Sequence, residues 1–168
     1  TTYGGAPDNG YVRAVGRIFL LAAVTRVYRP GAKFDEMLVL ESKQGKDKSN
    51  GIRALCPNDE WFSDSVTLDA NAKETIESLH GKWIVEVPEL SGMRQRDVER
   101  LKSFLSRGTD RARLAYDRTA TSARRTSVIF GTTNSTRYLR DEENRRFWPI
   151  AVPSPIRHDG HSPGSRAV

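Results

Sequence analysis

Three observations predict an α/β fold built on a mostly parallel sheet sandwiched between helices. Short apolar runs of strand length recur at 34–40, 82–87, 126–131 and 147–152. Stretches with helical spacing of apolar residues lie between them, and strands separated by helices pair in parallel with both faces covered. The first run leads straight into a polar turn ending in Lys48-Ser49 that opens a helix, the strand–loop–helix order that a phosphate site requires. At 168 residues, 37% hydrophobic and 29% charged, the chain suits one domain with a full core and is not disordered throughout.

Residues 11–28 put Val12, Val15, Phe19, Ala22, Ala23 and Tyr28 on helical spacing, with Arg13, Arg17 and Arg26 interspersed, and Pro30-Gly31 stops that helix. Its apolar stretch 18–24 is too short to span a bilayer, so neither membrane insertion nor secretion is expected. The strand at 34–40 follows, then the loop and a helix over about 48–55. Asp69 is the expected cap of a helix over about 70–79. KWIVEV at 82–87 reads as a buried strand with Glu86 near its end. Residues 94–105 read as a helix with Met93, Val98, Leu101, Phe104 and Leu105 on its apolar side, closed by Gly108.

Polar and basic, residues 112–125 predict an irregular hairpin or a mobile loop. TSVIFG at 126–131 is a third buried strand, ending in Thr132-Thr133-Asn134, and 147–152 is a fourth. From Pro153 onward the chain lacks periodicity and is rich in Pro, Ser, Gly and His, which predicts a disordered tail. The expected division is a domain over 1–152, with 11–28 as its N-terminal extension, and a disordered or truncated tail over 153–168. A start at Thr1 without an initiator Met suggests a piece of something longer.

The loop after the first strand, MLVLESKQGKDKSN, carries the outline of G-x-x-x-x-G-K-[ST], with Lys48 placed to reach β- and γ-phosphates and Ser49 placed to hold Mg²⁺. Ser42 and Asp47 stand where the consensus has glycine. Gly45 survives inside the loop, and Asp is among the few non-glycine residues that visit the left-handed region readily. On Lys48-Ser49 alone, a Lys/Ser-rich turn after a strand fits equally well.

Other pieces give that loop a context. A nucleotide hydrolase needs a carboxylate at a strand end for hydrated Mg²⁺ and a group that orients water; Glu86 near the end of KWIVEV and Glu89 just after it fit, although an edge strand with Glu at its tip also accounts for Glu86. Asn134 after TSVIFG can align water or contact the γ-phosphate, although a Thr-Thr-Asn there is also an ordinary turn or cap. Arg145-Arg146 can stabilise the charge of phosphoryl transfer, in cis or from a neighbouring subunit; a surface pair or a nucleic-acid contact fits them as well.

The charge balance favours an anionic partner, although a solvated basic surface is the commoner meaning of so small an excess. The net charge is +6 and the pI about 9.7. Residues 91–125 hold ten Lys/Arg against four Asp/Glu, so the whole surplus sits in one segment. A lone cysteine, Cys56, rules out an internal disulfide framework and suits a reducing cytoplasm.

These segments resemble the virulence-associated protein E family of phage- and island-encoded P-loop proteins, related to the superfamily 3 helicases. The likeness runs from YVRAVGRIFLLAAVTRVYRPGAKFD through LVLESKQGKDKS, EWFSD, GKWIVEVPEL, LKSFLSRGTDRARLAY and IFGTTNSTRYL to NRRFWPI, covering about 11–152. The resemblance implies an AAA+-like, superfamily 3 helicase-like ATPase domain that uses ATP and Mg²⁺ on DNA. Gln44, Gly45, Lys46, Asp47, Lys48 and Ser49 would form the Walker A loop, Ser49 and Glu86 would hold the metal, and Glu86 and Glu89 would be the Walker B carboxylates. Asn134 would be sensor 1 and Arg145 or Arg146 the arginine finger, with Lys102, Arg111 and Arg113 gripping single-stranded DNA. A homo-oligomeric ring, a cytoplasmic location and no membrane contact complete the expectation. Departures are Ser42, Asp47 and Glu143, the last where a Gly commonly precedes Asn-Arg-Arg. They leave open the alternative of a weak or inactive remnant that binds nucleic acid.

Overall fold

In a computed structural model, residues 5–66, 71–112, 120–135 and 145–156 are described. A five-stranded sheet organises them, formed by β1 (Met37–Glu41), β2 (Phe62–Ser63), β3 (Ile84–Val87), β6 (Val128–Thr133) and β7 (Phe147–Ala151) in the order β2-β3-β6-β1-β7. Every neighbouring pair is parallel. The register aligns Leu38 with Phe130 and Glu86 with the same Phe130. The expected mixed α/β fold with a mostly parallel sheet between helices is thus the observed one.

Parallel sheets bury both faces, which is why these strands read as near-continuous apolar runs. Alternate residues serve different cores. Met37, Val39, Val85, Val87 and Ile129 pack with Leu79 of α3 (Ala72–Leu79) and with Val98, Leu101, Phe104 and Leu105 of α4 (Gln95–Leu105). Leu38, Leu40, Ile84, Val128 and Phe130 pack on the other face. Their partners are Val15, Phe19 and Ala23 of α1 (Gly10–Tyr28) and Ile52 of α2 (Lys48–Arg53). Burying Phe19 to 1% exposure contributes about 1.5–3 kcal/mol, and Phe19→Ala should cost about 3–5 kcal/mol.

Asn9 starts α1 by accepting the Val12 amide at 2.9 Å. Two residues of that helix depart from the expected pattern. Tyr28, expected on the apolar face, is 83% exposed. Arg26 is buried instead, because its guanidinium donates to the carbonyls of Ala32, Phe34 and Ser127 and so ties the helix end to the start of β6.

The cap of α3 is Asn71 rather than Asp69, which lies outside the described residues. Asn71 Oδ1 accepts the Glu74 amide at 3.0 Å and Glu74 returns a bond to the Asn71 amide at 3.2 Å. Gly108 does not close α4, whose cap is Ser106. Its role is contact: a Cβ there would meet the Gly31 carbonyl oxygen at 2.7 Å. Of the segment 112–125, expected as an irregular hairpin or mobile loop, β5 (Thr121–Arg124) is a strand, and its antiparallel partner β4 (Thr109–Ala112) precedes the segment apart from Ala112. Residues 113–119 between them, including Arg113, are outside the described set. So is most of the expected tail; within 153–156, Ile156 packs on Gly51 of α2 and its amide donates to the Lys46 carbonyl at 3.2 Å.

Candidate functional site

Because all five strands run the same way, the loops leaving β1, β3 and β6 emerge at one edge of the sheet. β1 lies between β6 and β7, neither of which follows it directly in sequence, and such reversals of strand order leave a crevice at the carboxyl ends. The loop leaving β1 turns sharply. Gly45 has φ +81°, and Asp47 has φ +56° in the left-handed region that Asp tolerates. The Asp47 carboxylate accepts a bond from the Asn50 side chain at 2.7 Å, which holds it against α2. Among the described residues, the amides of Lys43, Gln44, Gly45 and Lys46 donate to no protein acceptor.

The turn delivers Lys48 and Ser49 to the carboxyl edge of the sheet. Lys48 Nζ donates to the Ser42 carbonyl at 3.2 Å, to Ser42 Oγ at 2.9 Å and to Asn134 Oδ1 at 3.0 Å. Burial holds the Lys48 ammonium below its ordinary pKa, opposed by the attraction of Glu86. Ser42, placed where a glycine was expected, therefore supplies two of the three acceptors.

Glu86 lies on the α1/α2 face because Ile84, two residues earlier in the strand, packs there. It is 1% exposed. Its Oε1 accepts from Ser49 Oγ at 2.8 Å and from Thr132 Oγ1 at 2.7 Å, while Oε2 is buried with no hydrogen-bond partner. A carboxylate with two hydrogen-bond donors on one oxygen and none on the other is suited to a divalent cation or a positioned water. Lys48, Ser49, Glu86 and Asn134, nominated from separate segments, are brought together here. Thr132 was not nominated.

Glu89 follows on the next turn. It is exposed, has φ +54°, and precedes Leu90, which is 2% exposed. Gly131 makes room for that leucine: a Cβ there would meet Leu90 Cδ1 at 2.7 Å.

The remaining nominated residues that the structure describes, Lys102, Arg111, Arg145 and Arg146, lie at the opposite edge. Arg145 is exposed, and Arg146 donates from Nη1 to the Lys102 carbonyl at 3.3 Å while its own carbonyl accepts the Met37 amide, at the start of β1. Lys102 pairs with Glu99 at 3.0 Å. Arg111 is exposed on β4, and the ladder puts Arg124 on the same face as its diagonal neighbour. Arg124 is a second exposed cation that sequence reasoning did not single out; strand pairing alone reveals it. Arg125 was counted with the basic surplus but is 3% exposed. It is bonded to Asp110 at 2.5 and 2.8 Å and to the Phe104 carbonyl at 2.6 Å, and stacks 4.2 Å from the Phe104 ring centroid.

The family model of the virulence-associated protein E-like domain matches residues 1–163. Among solved structures, the chain is similar to the apo C-terminal region (305–718) of NrS-1, with a TM-score of 0.58 and 18% identity over 85% of this chain and 35% of that one. An A-form apo structure of the NrS-1 C-terminal region gives 0.59 and 19% over 84% and 35%. At that identity the likeness is one of fold, and the chain spans about a third of the length of those structures. No curated protein matches it in sequence. No described helix is long and apolar enough to cross a membrane.

Proposed function

The chain belongs to the virulence-associated protein E-like family, and from that premise we propose that it is the ATP-binding and hydrolysing domain of a helicase- or primase-like replication protein. Domains of this family occur in replication proteins of phages and mobile elements. The observation that carries the reading is the meeting of Lys48, Ser49, Glu86 and Asn134 at the carboxyl edge of a parallel sheet, with Glu86 Oε2 left bare.

In this P-loop reading the amides of residues 43–46 and the Lys48 ammonium receive the β- and γ-phosphates. Lys48 then exchanges Ser42 and Asn134 for phosphate oxygens, and Asn134 is released to contact the γ-phosphate or the attacking water. Ser49 Oγ and the Glu86 carboxylate would hold Mg²⁺, which would supply neutralisation of charge on the phosphoryl group. Glu89, exposed at the same edge, orients water. Such catalysis is positioning plus charge stabilisation, so single losses are expensive in rate.

Arg145 and Arg146 sit one strand length away, roughly 13–17 Å along β1, too far to reach the same chain's Lys48. They act in trans, on the site of a neighbouring copy in a homo-oligomer. Arg111 and Arg124 on the β4–β5 pair, with Lys102 and Arg113, form the contact for single-stranded DNA. The three bonds that already engage Lys48 favour a second reading, a weak or inactive remnant that retains nucleic-acid binding.

Mg²⁺-dependent phosphate release separates the two readings. Lys48→Ala and Glu86→Gln should each lower it by about a hundredfold or more. Equal, background release from both variants and wild type would sink the hydrolase reading.

A further inference from the structure

The bare oxygen of Glu86 has a counterpart in what holds the other one. We infer that Thr132 is a positioning residue that fixes the Glu86 carboxylate so that Oε2 alone is presented to a divalent cation; this deepens the proposed ATP reading and rests on it. Two hydroxyls donate to Oε1, Thr132 Oγ1 at 2.7 Å and Ser49 Oγ at 2.8 Å. They are not equivalent. Ser49 belongs to the six-residue helix α2 beyond the turn, whereas Thr132 is 7% exposed in β6, hydrogen-bonded within the sheet between β3 and β1.

A β-branched side chain in a central strand is held to few rotamers, so its hydroxyl is a fixed reference point. In the ATP reading Ser49 would itself be a ligand for the cation, in the helix that follows the phosphate loop. Thr132 has no such second duty. Carboxylates that bind metals are usually oriented by an outer hydrogen-bond donor. Here that donor would be the residue two positions before Asn134, on the same strand face as Glu86: in β6, Val128 and Phe130 belong to the α1/α2 core and alternation carries Thr132 there.

Thr132→Val keeps the shape and removes the hydroxyl. The measurement is the affinity for a non-hydrolysable ATP analogue in Mg²⁺ and again in EDTA, read as the ratio of the two. Wild type should bind more tightly with Mg²⁺. In Thr132→Val that ratio should fall by about ten- to a hundredfold, the usual effect of losing a donor behind a metal ligand, with the EDTA affinity unchanged. Thr132→Ser should restore it. A purely structural role would instead lower both affinities together, and that outcome, or an unchanged ratio, overturns the inference. Should Val unfold the chain, Thr132→Ala provides the same comparison. If wild type shows no Mg²⁺ enhancement, or Lys48→Ala binds as wild type does, the ATP reading itself fails and this inference with it.

Discussion

The two edges of the sheet both bury charge, and they treat it in opposite ways. At the amino edge, Arg125 and Asp110 form a closed pair: both carboxylate oxygens are occupied, and the arginine also reaches the Phe104 carbonyl and lies against its ring. At the carboxyl edge, Glu86 leaves an oxygen bare and Lys48 is bonded only to neutral acceptors. A saturated pair has finished its work when the chain folds. An unsaturated one still has hydrogen-bonding and electrostatic capacity to offer a ligand. This contrast, more than the identity of any single residue, is what the proposed function rests on at the carboxyl edge.

The contrast can be broken by removing one charge from each edge. Asp110→Ala strands Arg125 in the core and should lower stability by about 3–5 kcal/mol in a denaturant titration. Glu86→Gln removes a charge equally buried, yet should change stability by only about 1 kcal/mol, because no buried cation loses its counter-ion at bonding distance. If Glu86→Gln unfolded the chain as readily as Asp110→Ala, the two edges would not differ in the way described.

A smaller effect sharpens the picture of the amino edge. Arg111→Ala with Arg124→Ala should weaken single-stranded DNA binding and reduce the slope of log affinity against log salt by about 1.4, at about 0.7 per phosphate contact. An unchanged slope would overturn the proposed role of the β4–β5 pair in contacting DNA. The smallest effect is at Cys56, just past α2. Burial, helped by Asp59 and opposed by Arg53, pushes its thiol up from 9.0 to about 11. Alkylation at pH 8 should therefore run roughly tenfold or more slower than for a free thiol. The raised value means that its contribution to stability is complete below about pH 9 and is lost as pH climbs through about 11. Alkylation at the free-thiol rate would show the chain around α2 to be open.

Much of this arrangement was legible in the sequence. The long helix, the strand before the loop and the two buried strands announce themselves through period and composition, and their order makes Lys48, Ser49, Glu86 and Asn134 neighbours once the sheet is parallel. β2 was not legible, since two residues carry no period. Nor was Thr132: a strand buried on both faces shows no alternation in its residue types, so nothing in TSVIFGTT reveals which residues look toward Glu86. Asp69 and Asn71 are both good caps; Glu74 three residues after Asn71 was the signal that decides between them. Counting charge misled at Arg125, as helical spacing did at Arg26, because neither distinguishes a guanidinium that faces solvent from one spent on carbonyls inside. Ser42 and Asp47 read as losses from a motif. In the fold, one gives Lys48 two acceptors and the other takes the left-handed turn that a glycine would.

Calorimetric titration of the wild-type chain with an ATP analogue in Mg²⁺, beside Lys48→Ala, tests the central claim most directly. The account predicts saturable binding near one nucleotide per chain that weakens at least about tenfold in the variant, as loss of a charged hydrogen bond of about 1.5–3 kcal/mol requires. No heat from wild type, or identical isotherms for the two proteins, would contradict it.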